Sequence, residues 1–369
     1  MDPSLQGFES EPFDPWTLSK YNYIASMFPV KREKAVKWDE DLEGLQDWDY
    51  WRRIVESGGK GQFLPGYGFW TELPDKSSIS GQVGKRKERI LKVREKHGDK
   101  QSDILIHGQI FHREAKVLAK TLEADYFNDP AYWVTGEYKL ALTMGLLPQE
   151  LETSSGVFGM LSANTKKAIY WTGYDADNFA MAPYVQVRAL MGAINKEISH
   201  NFAMDDRTLG VLEDLGIKKT ELLTFPREEG TPADSLPEKF KVLGWADDEH
   251  IPHLKTIAAA MPDVEFEFVD QNKPYKIPDY TVILQFTKAQ KIETGTRNAL
   301  MMGRYVISNV QAPYSGYVQM DDPAKFVSEV TEKIGALVGK KEINKEAQDY
   351  YLKDADPEAF KARIAEALK

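Results

Sequence analysis

The chain contains no cysteine, which excludes disulfides, thiolate metal sites and cysteine nucleophiles and agrees with a cytoplasmic setting. Histidine is scarce: there are six, none in an H-E-x-x-H pattern, with His250 and His253 an isolated i,i+3 pair on a helix, so no metal site is expected. No window approaches ~18 uninterrupted apolar residues, and no membrane-spanning helix is expected. The opening MDPSLQGFESEPFDPW has neither a basic n-region nor an apolar h-region and does not read as a secretory signal. Positive charge is in deficit, with a net charge of −10. That argues against a protein whose main task is coating nucleic acid, while leaving room for a local basic groove.

What is present is the composition of a folded globular chain, 42% apolar and 11% aromatic. At 369 residues it is long for one core, which predicts two domains. Residues 1–18 read as an extended arm, and 21–28 as a first buried strand. The tryptophan-rich stretch around 48–55 reads as a helix, and 58–68, with five glycines and a proline, as a loop. A basic helix over 84–100, a strand over 103–106 ending at His107 and a helix over 111–122 follow. Residues 140–151 and 157–164 read as helical pieces, 168–171 as a strand leading into Thr172-Gly173-Tyr174-Asp175, 183–194 as a long helix and 197–201 as a strand. A second alternation begins at Phe240, with strands at 240–243, 264–269, 280–287 and 305–309 and helices at 250–260, 296–303 and 323–336. A charged helical pair closes the chain. Alternating strands and helices in both halves predict two parallel-sheet α/β domains.

The stretch 280–309, YTVILQFTKAQKIETGTRNALMMGRYVISN, is the most informative. Thr294-Gly295-Thr296 stands where a loop becomes a helix. A glycine flanked by hydroxyls there frees backbone N–H groups to grip an anion, and the helix dipole adds partial positive charge. A strand–loop–helix–strand unit of this kind at the carboxyl end of a sheet suits phosphate. A glycine at such a turn also serves packing alone.

The order of pieces in the C-terminal half resembles the nucleotide-sugar domain of GT-B glycosyltransferases, especially the retaining group. The glycine-turned strand is FKVLG at 240–244, and the P-x-x-x-F strand is Pro262 to Phe266. The small-residue helix before a final strand is NALMMGRYVI at 298–307. Upstream, DILIH at 103–107 is similar to the family's D-I-I-H strand end, YWTGYD at 170–175 to its H-G-x-D turn, and 199–226 to its domain-crossing segment. The resemblance covers about 100–340. It departs from the family at the paired glutamates, where this chain has Gln290 and Asn298. It departs again at the basic diphosphate clamp, replaced here by Gly244-Trp245-Ala246-Asp247-Asp248-Glu249.

The resemblance implies two Rossmann-like parallel-sheet domains facing a cleft: an arm (1–18), an acceptor-side domain (19–200), a donor-binding domain (201–340) and C-terminal helices packing back on the first domain (341–369). It implies a glycosyltransferase that moves a sugar from a nucleotide-diphosphate sugar, taken as a UDP-sugar, to a hydroxyl, with retention. The donor residues would be Thr294, Gly295 and Thr296, with Lys288, Lys291 and Arg297 as counter-charges and Glu293 and Asn298 toward ribose or sugar hydroxyls. His107 and Asp175 are the catalytic candidates on the first domain, although a histidine at a strand end and an acid in a turn are as readily structural. No tightly bound cofactor is implied. The acceptor, whether saccharide, lipid or modified nucleobase, stays open. Helix 84–100 carries eight Lys/Arg against three acids, so a polyanionic acceptor such as DNA or anionic lipid is one alternative, and a solvated outer helix is the plainer reading. A non-catalytic GT-B-like binding module is another alternative, kept open by the missing glutamate pair and clamp.

Overall fold

A computed structural model describes residues 5–9, 12–24, 28–62, 67–72, 83–108, 111–126, 138–146, 165–227, 233–269, 276–288 and 294–369. The chain divides into two units: Met1–Leu223 with Lys361–Lys369, and Thr224–Phe360. Among the described residues no helix is long and apolar enough to cross a membrane.

In the first unit β1 (Leu5–Glu9) and β2 (Tyr67–Glu72) pair antiparallel as a small separate ribbon. The main sheet is built from β3 (Ile104–His107), β4 (Asp125–Tyr126), β5 (Leu140–Met144), β6 (Lys166–Trp171), β7 (His200–Ala203) and β8 (Thr220–Leu222). Its order is β4-β3-β5-β6-β7-β8, with every pair parallel. Parallel neighbours need crossovers, which the chain supplies as helices. Strands covered on both faces lose the usual in–out alternation, and all of β5 is accordingly buried. Ile169, Trp171 and Ala203 of the sheet pack with Phe179, Ile194 and Leu212 of the helices Tyr174–Met181, Tyr184–Glu197 and Asp206–Asp214.

The second unit repeats the plan with β9 (Lys241–Ala246), β10 (Glu265–Phe268), β11 (Val282–Phe286), β12 (Tyr305–Ser308) and β13 (Gly316–Tyr317), ordered β10-β9-β11-β12-β13 and parallel throughout. Successive strand residues feed opposite cores. Val242, Leu284 and Phe286 join Leu254, Phe326 and Val330 on one face, while Leu243, Ile283 and Val306 join Leu300, Ala347 and Tyr351 on the other. The helix Pro323–Gly335 starts where Asp322 accepts hydrogen bonds from Ala324 N and Lys325 N ahead of a proline in the first turn, the combination that satisfies otherwise orphan donors.

Several expectations differ from this. The expected boundary at 200/201 falls inside β7: the first sheet runs on through β8, and the units divide after Leu223. Of the C-terminal pair, Lys345–Asp354 belongs to the second unit, and only Lys361–Lys369 groups with the first, where Lys166 Nζ donates to the Ala367 carbonyl at 3.1 Å. The start of 140–151, expected as helix, is strand β5. The described part of 21–28 is irregular rather than a strand, and the helix expected over 157–164 lies outside the described residues.

Candidate functional site

In the chain order of its strands each sheet runs second, first, third, fourth, fifth, with a sixth strand added in the first unit. Crossovers leave the first strand on opposite sides of such a sheet, opening a crevice between the carboxyl ends of the first and third strands. In the second unit that switch point lies between β9 and β11, where Gln285 is in register with Trp245 and Phe286 with Ala246.

The loop ends at this crevice are tied down. Asp247 N donates to the Phe286 carbonyl at 3.1 Å, and Asp247 Oδ2 accepts from Lys288 N at 2.7 Å. Asn309, beyond β12, holds both backbone groups of Thr287: its Oδ1 accepts from Thr287 N at 3.0 Å, and its Nδ2 donates to Thr287 O at 2.8 Å. The helix Thr294–Met301 follows β11 and brings its N-terminus to this end of the sheet. Gly295 is required there: a Cβ would sit 2.7 Å from Trp245 Cζ3, so the indole of β9 lies directly against the first turn of the helix. Thr296 is fully buried, and its Oγ1 has no hydrogen-bond partner among the described residues. A buried hydroxyl left unpaired is unfavourable by about 1–3 kcal/mol.

Two of the expected counter-charges are already engaged. Lys288 Nζ lies 2.6 Å from Glu249 Oε2. Arg297 donates through Nη1 to the Phe225 carbonyl at 3.2 Å and through Nη2 to Asp354 Oδ2 at 3.0 Å, tying its helix to Lys345–Asp354 and to the start of the unit. Asn298 is half-buried in the same helix. The placement of Lys291 and Glu293, and of the Thr294 side chain, lies outside the described residues. Trp245, Asp247 and Asn309 were not singled out as site residues. Their signal was position alone, Trp245 near the end of strand β9, and Asp247 and Asn309 directly after β9 and β12.

The first unit has its switch point between β3 and β5. His107 ends β3, buried and in register with Thr143 of β5. Gly145, just past β5, has a φ of +73°, and a Cβ there would meet the Phe111 ring at 2.3 Å; the turn needs glycine on both counts. Asp175 is fully buried at the start of the helix after β6. Its Oδ1 accepts from Thr172 N at 2.8 Å and Thr172 Oγ1 at 3.0 Å, and its Oδ2 from Leu146 N at 3.1 Å. Burial pushes this carboxyl up to about 6 despite those donors, which act the other way. The side chain thus ties together the loops after β5 and β6.

In the basic helix, Val83–Lys96, three cations are engaged by the fold, while Lys85, Lys87 and Lys92 are exposed. Arg94 grips the buried Asp125 through two hydrogen bonds of 3.0 and 3.1 Å. Lys96 bonds Asp49 at 2.6 Å and also Asp39. Arg89 is buried beside Gly44. Trp48 and Trp51 are core residues, Trp48 Nε1 donating to the Leu18 carbonyl at 2.6 Å. The side chains of Tyr67 and Trp70 lie outside the described set.

Two parallel α/β units of this winding give the chain the fold of the GT-B glycosyltransferases. HepE of Anabaena, in its crystal structure with UDP, is similar at 12% identity and a TM-score of 0.51, over 72% of this chain and 99% of that one. Its structure with UDP and glucose aligns with the same identity and TM-score, over 72% and 98%. No family model and no curated protein matches the chain. At this identity the likeness is one of fold.

Proposed function

We propose that the chain is a glycosyltransferase that takes a sugar from a uridine-diphosphate sugar, with the donor on the second unit, and transfers it with retention to an acceptor hydroxyl in the cytoplasm. One observation carries the reading. At the switch point of the second unit, a helix N-terminus meets a buried Thr296 hydroxyl that has no partner among the described residues, beside an indole that a Cβ at 295 would displace. Helix N-terminal N–H groups and a spare hydroxyl are what a diphosphate oxygen needs. The similar HepE is crystallised with UDP, and with UDP and glucose, which supports the same ligand class here.

In the reaction the bond between the anomeric carbon and the diphosphate oxygen breaks and a bond to the acceptor oxygen forms. The diphosphate leaves with the electron pair, and its oxygen takes up the proton that the acceptor hydroxyl loses. Preorganised dipoles that meet the developing charge supply the main acceleration. The proposed donor contacts are Thr294, Gly295, Thr296 and Asn298, with Lys291 and Glu293 just before them in sequence. Lys288 and Arg297 hold the frame around them, since their charges are paired. On the first unit His107 is proposed to touch the sugar or acceptor, and Asp175 to act as a positioning residue that fixes the loop ends after β5 and β6.

The engaged cations and the acidic Asp247-Asp248-Glu249 run favour a second reading, a GT-B-like module that binds a partner without catalysis. A thermal-shift panel of UDP, GDP, ADP and their sugar conjugates separates the two. Ligand at ~100 times its dissociation constant adds roughly 2.7 kcal/mol, so a midpoint rise with uridine nucleotides supports the transferase, and a flat panel supports the module. Thr296→Val sharpens the test. It should raise unliganded stability by about 1 kcal/mol while weakening nucleotide binding about tenfold. Unchanged nucleotide affinity in that variant would remove Thr296 from the site.

A further inference from the structure

The three most exposed large apolar side chains among the described residues fall within five positions: Met181 at 77%, Tyr184 at 74% and Val185 at 79%. They belong to the run Ala-Met-Ala-Pro-Tyr-Val at 180–185, which joins the helices Tyr174–Met181 and Tyr184–Glu197 and contains no charged residue. On the same helix pair Ala176, Phe179, Val187 and Ile194 are buried, and Tyr174, at 53%, is the next most exposed large side chain of this kind. A side chain exposed by three quarters has few neighbours on any side, so this turn stands proud of the surface and does not line a groove.

We propose that this turn is a membrane-surface anchor that seats Met181, Tyr184 and Val185 at the headgroup–acyl boundary of a phospholipid bilayer. Three arguments select lipid over protein. Together the three side chains offer on the order of 400–500 Å², against the roughly 800 Å² per partner that a stable protein interface buries. A convex tip of tyrosine and aliphatic side chains suits a deformable interface with an apolar side and a wet side, where tyrosine is favoured.

The charges complete the case. From 178 to 195 the only charged residue is Arg188, which is exposed and lies one turn beyond Tyr184 and Val185 on the same helix. The nearest preceding acid, Asp177, is held by both Nη atoms of Arg207 at 2.8 and 3.1 Å. An arginine at that spacing meets lipid phosphate while its neighbours enter the boundary. The chain's net charge of −10 opposes adsorption by charge alone, so apolar insertion carries the binding. The inference does not depend on the transferase reading.

The test is flotation of the full chain with vesicles of phosphatidylcholine and phosphatidylglycerol. The wild type should float and keep floating at raised salt, because salt screens Arg188 but not insertion. Replacing Met181, Tyr184 and Val185 together by serine should reduce the bound fraction at least about tenfold, and Arg188→Glu several-fold. Because all four side chains are exposed, the unfolding midpoint should not move in either variant, which separates lost binding from lost fold. The proposal is overturned if the wild type stays out of the vesicle fraction, if the triple variant floats equally well, or if the wild type dimerises in solution and the triple variant does not.

Discussion

Asp175 offers the sharpest check on the physical reading of the first unit. Burial raises its carboxyl from 3.8 to about 6. At 1.36 kcal/mol per unit that is about 3 kcal/mol of differential stability between protonated and ionised forms. The sign follows from linkage. Between about pH 4 and pH 6 the folded chain keeps a proton that the unfolded chain has released, so this group lowers stability as pH rises through that window and has no further effect above it. Asp175→Asn removes the titration. The amide oxygen can still accept from Thr172 N and Thr172 Oγ1, but the amide nitrogen then faces the Leu146 N–H, donor against donor, at a cost of roughly 1–3 kcal/mol at every pH. The variant should therefore be the less stable protein near about pH 4 and should close the gap, by about 3 kcal/mol, toward about pH 7. Urea unfolding followed by tryptophan fluorescence reads this directly. Seven of the eight tryptophans lie at or before Trp171, leaving only Trp245 in the second unit. If the difference between wild type and variant stays constant across that range, the carboxyl is solvated and its assignment as a sealed tie between two loops is wrong.

The other predictions concern both units. Gly295→Ala places a methyl 2.7 Å from the Trp245 ring, and displacing that ring should weaken uridine nucleotide binding about tenfold in a protein that still folds; unchanged affinity by calorimetry would show that the indole does not shape the site. Arg297→Met should lower the stability of the second unit by about 1–2 kcal/mol through loss of its bonds to Phe225 and Asp354, and leave nucleotide affinity within about threefold. A loss of affinity well beyond tenfold would restore Arg297 as a phosphate contact. Breaking the Arg94–Asp125 pair from one side, as Arg94→Met, should destabilise the first unit by about 3–5 kcal/mol, and adding Asp125→Asn should recover part of it; additive losses in that double-mutant cycle would mean the pair is not coupled.

Much of the fold was legible because periodicity and burial agree. The strand expected at 280–287 is β11 (Val282–Phe286), and the helices at 250–260 and 323–336 lie within a residue of their expected bounds. The misreading of β5 has a physical cause. LALTM is rich in helix formers, yet it is clamped between β3 and β6 and buried at every residue, so tertiary pairing overrides propensity. The strands β4, β8 and β13 have two or three residues each, too few to show a period, and exist because a neighbouring edge offers pairing. The aromatic run starting at Tyr21 signalled burial rather than a strand: Tyr21 is buried against Tyr126, with ring centroids 5.7 Å apart.

At the candidate site, position was readable and availability was not. Thr294-Gly295-Thr296 stands at the strand-to-helix junction where the residue types predicted it, because glycine and hydroxyls carry their backbone meaning locally. A cation carries no such mark. Lys288 and Arg297 look alike free or paired, and what decides between the two is the distant chain: Glu249 beside Lys288, and Asp354, separated from Arg297 by 57 positions. On the proposed donor reading, the neutralisation of a diphosphate would fall to Lys291 and to groups that a charge count does not register, namely the N–H groups of the first helical turn and the Thr296 hydroxyl. That reading makes Thr296, a neutral residue, the side chain on which the donor proposal depends most.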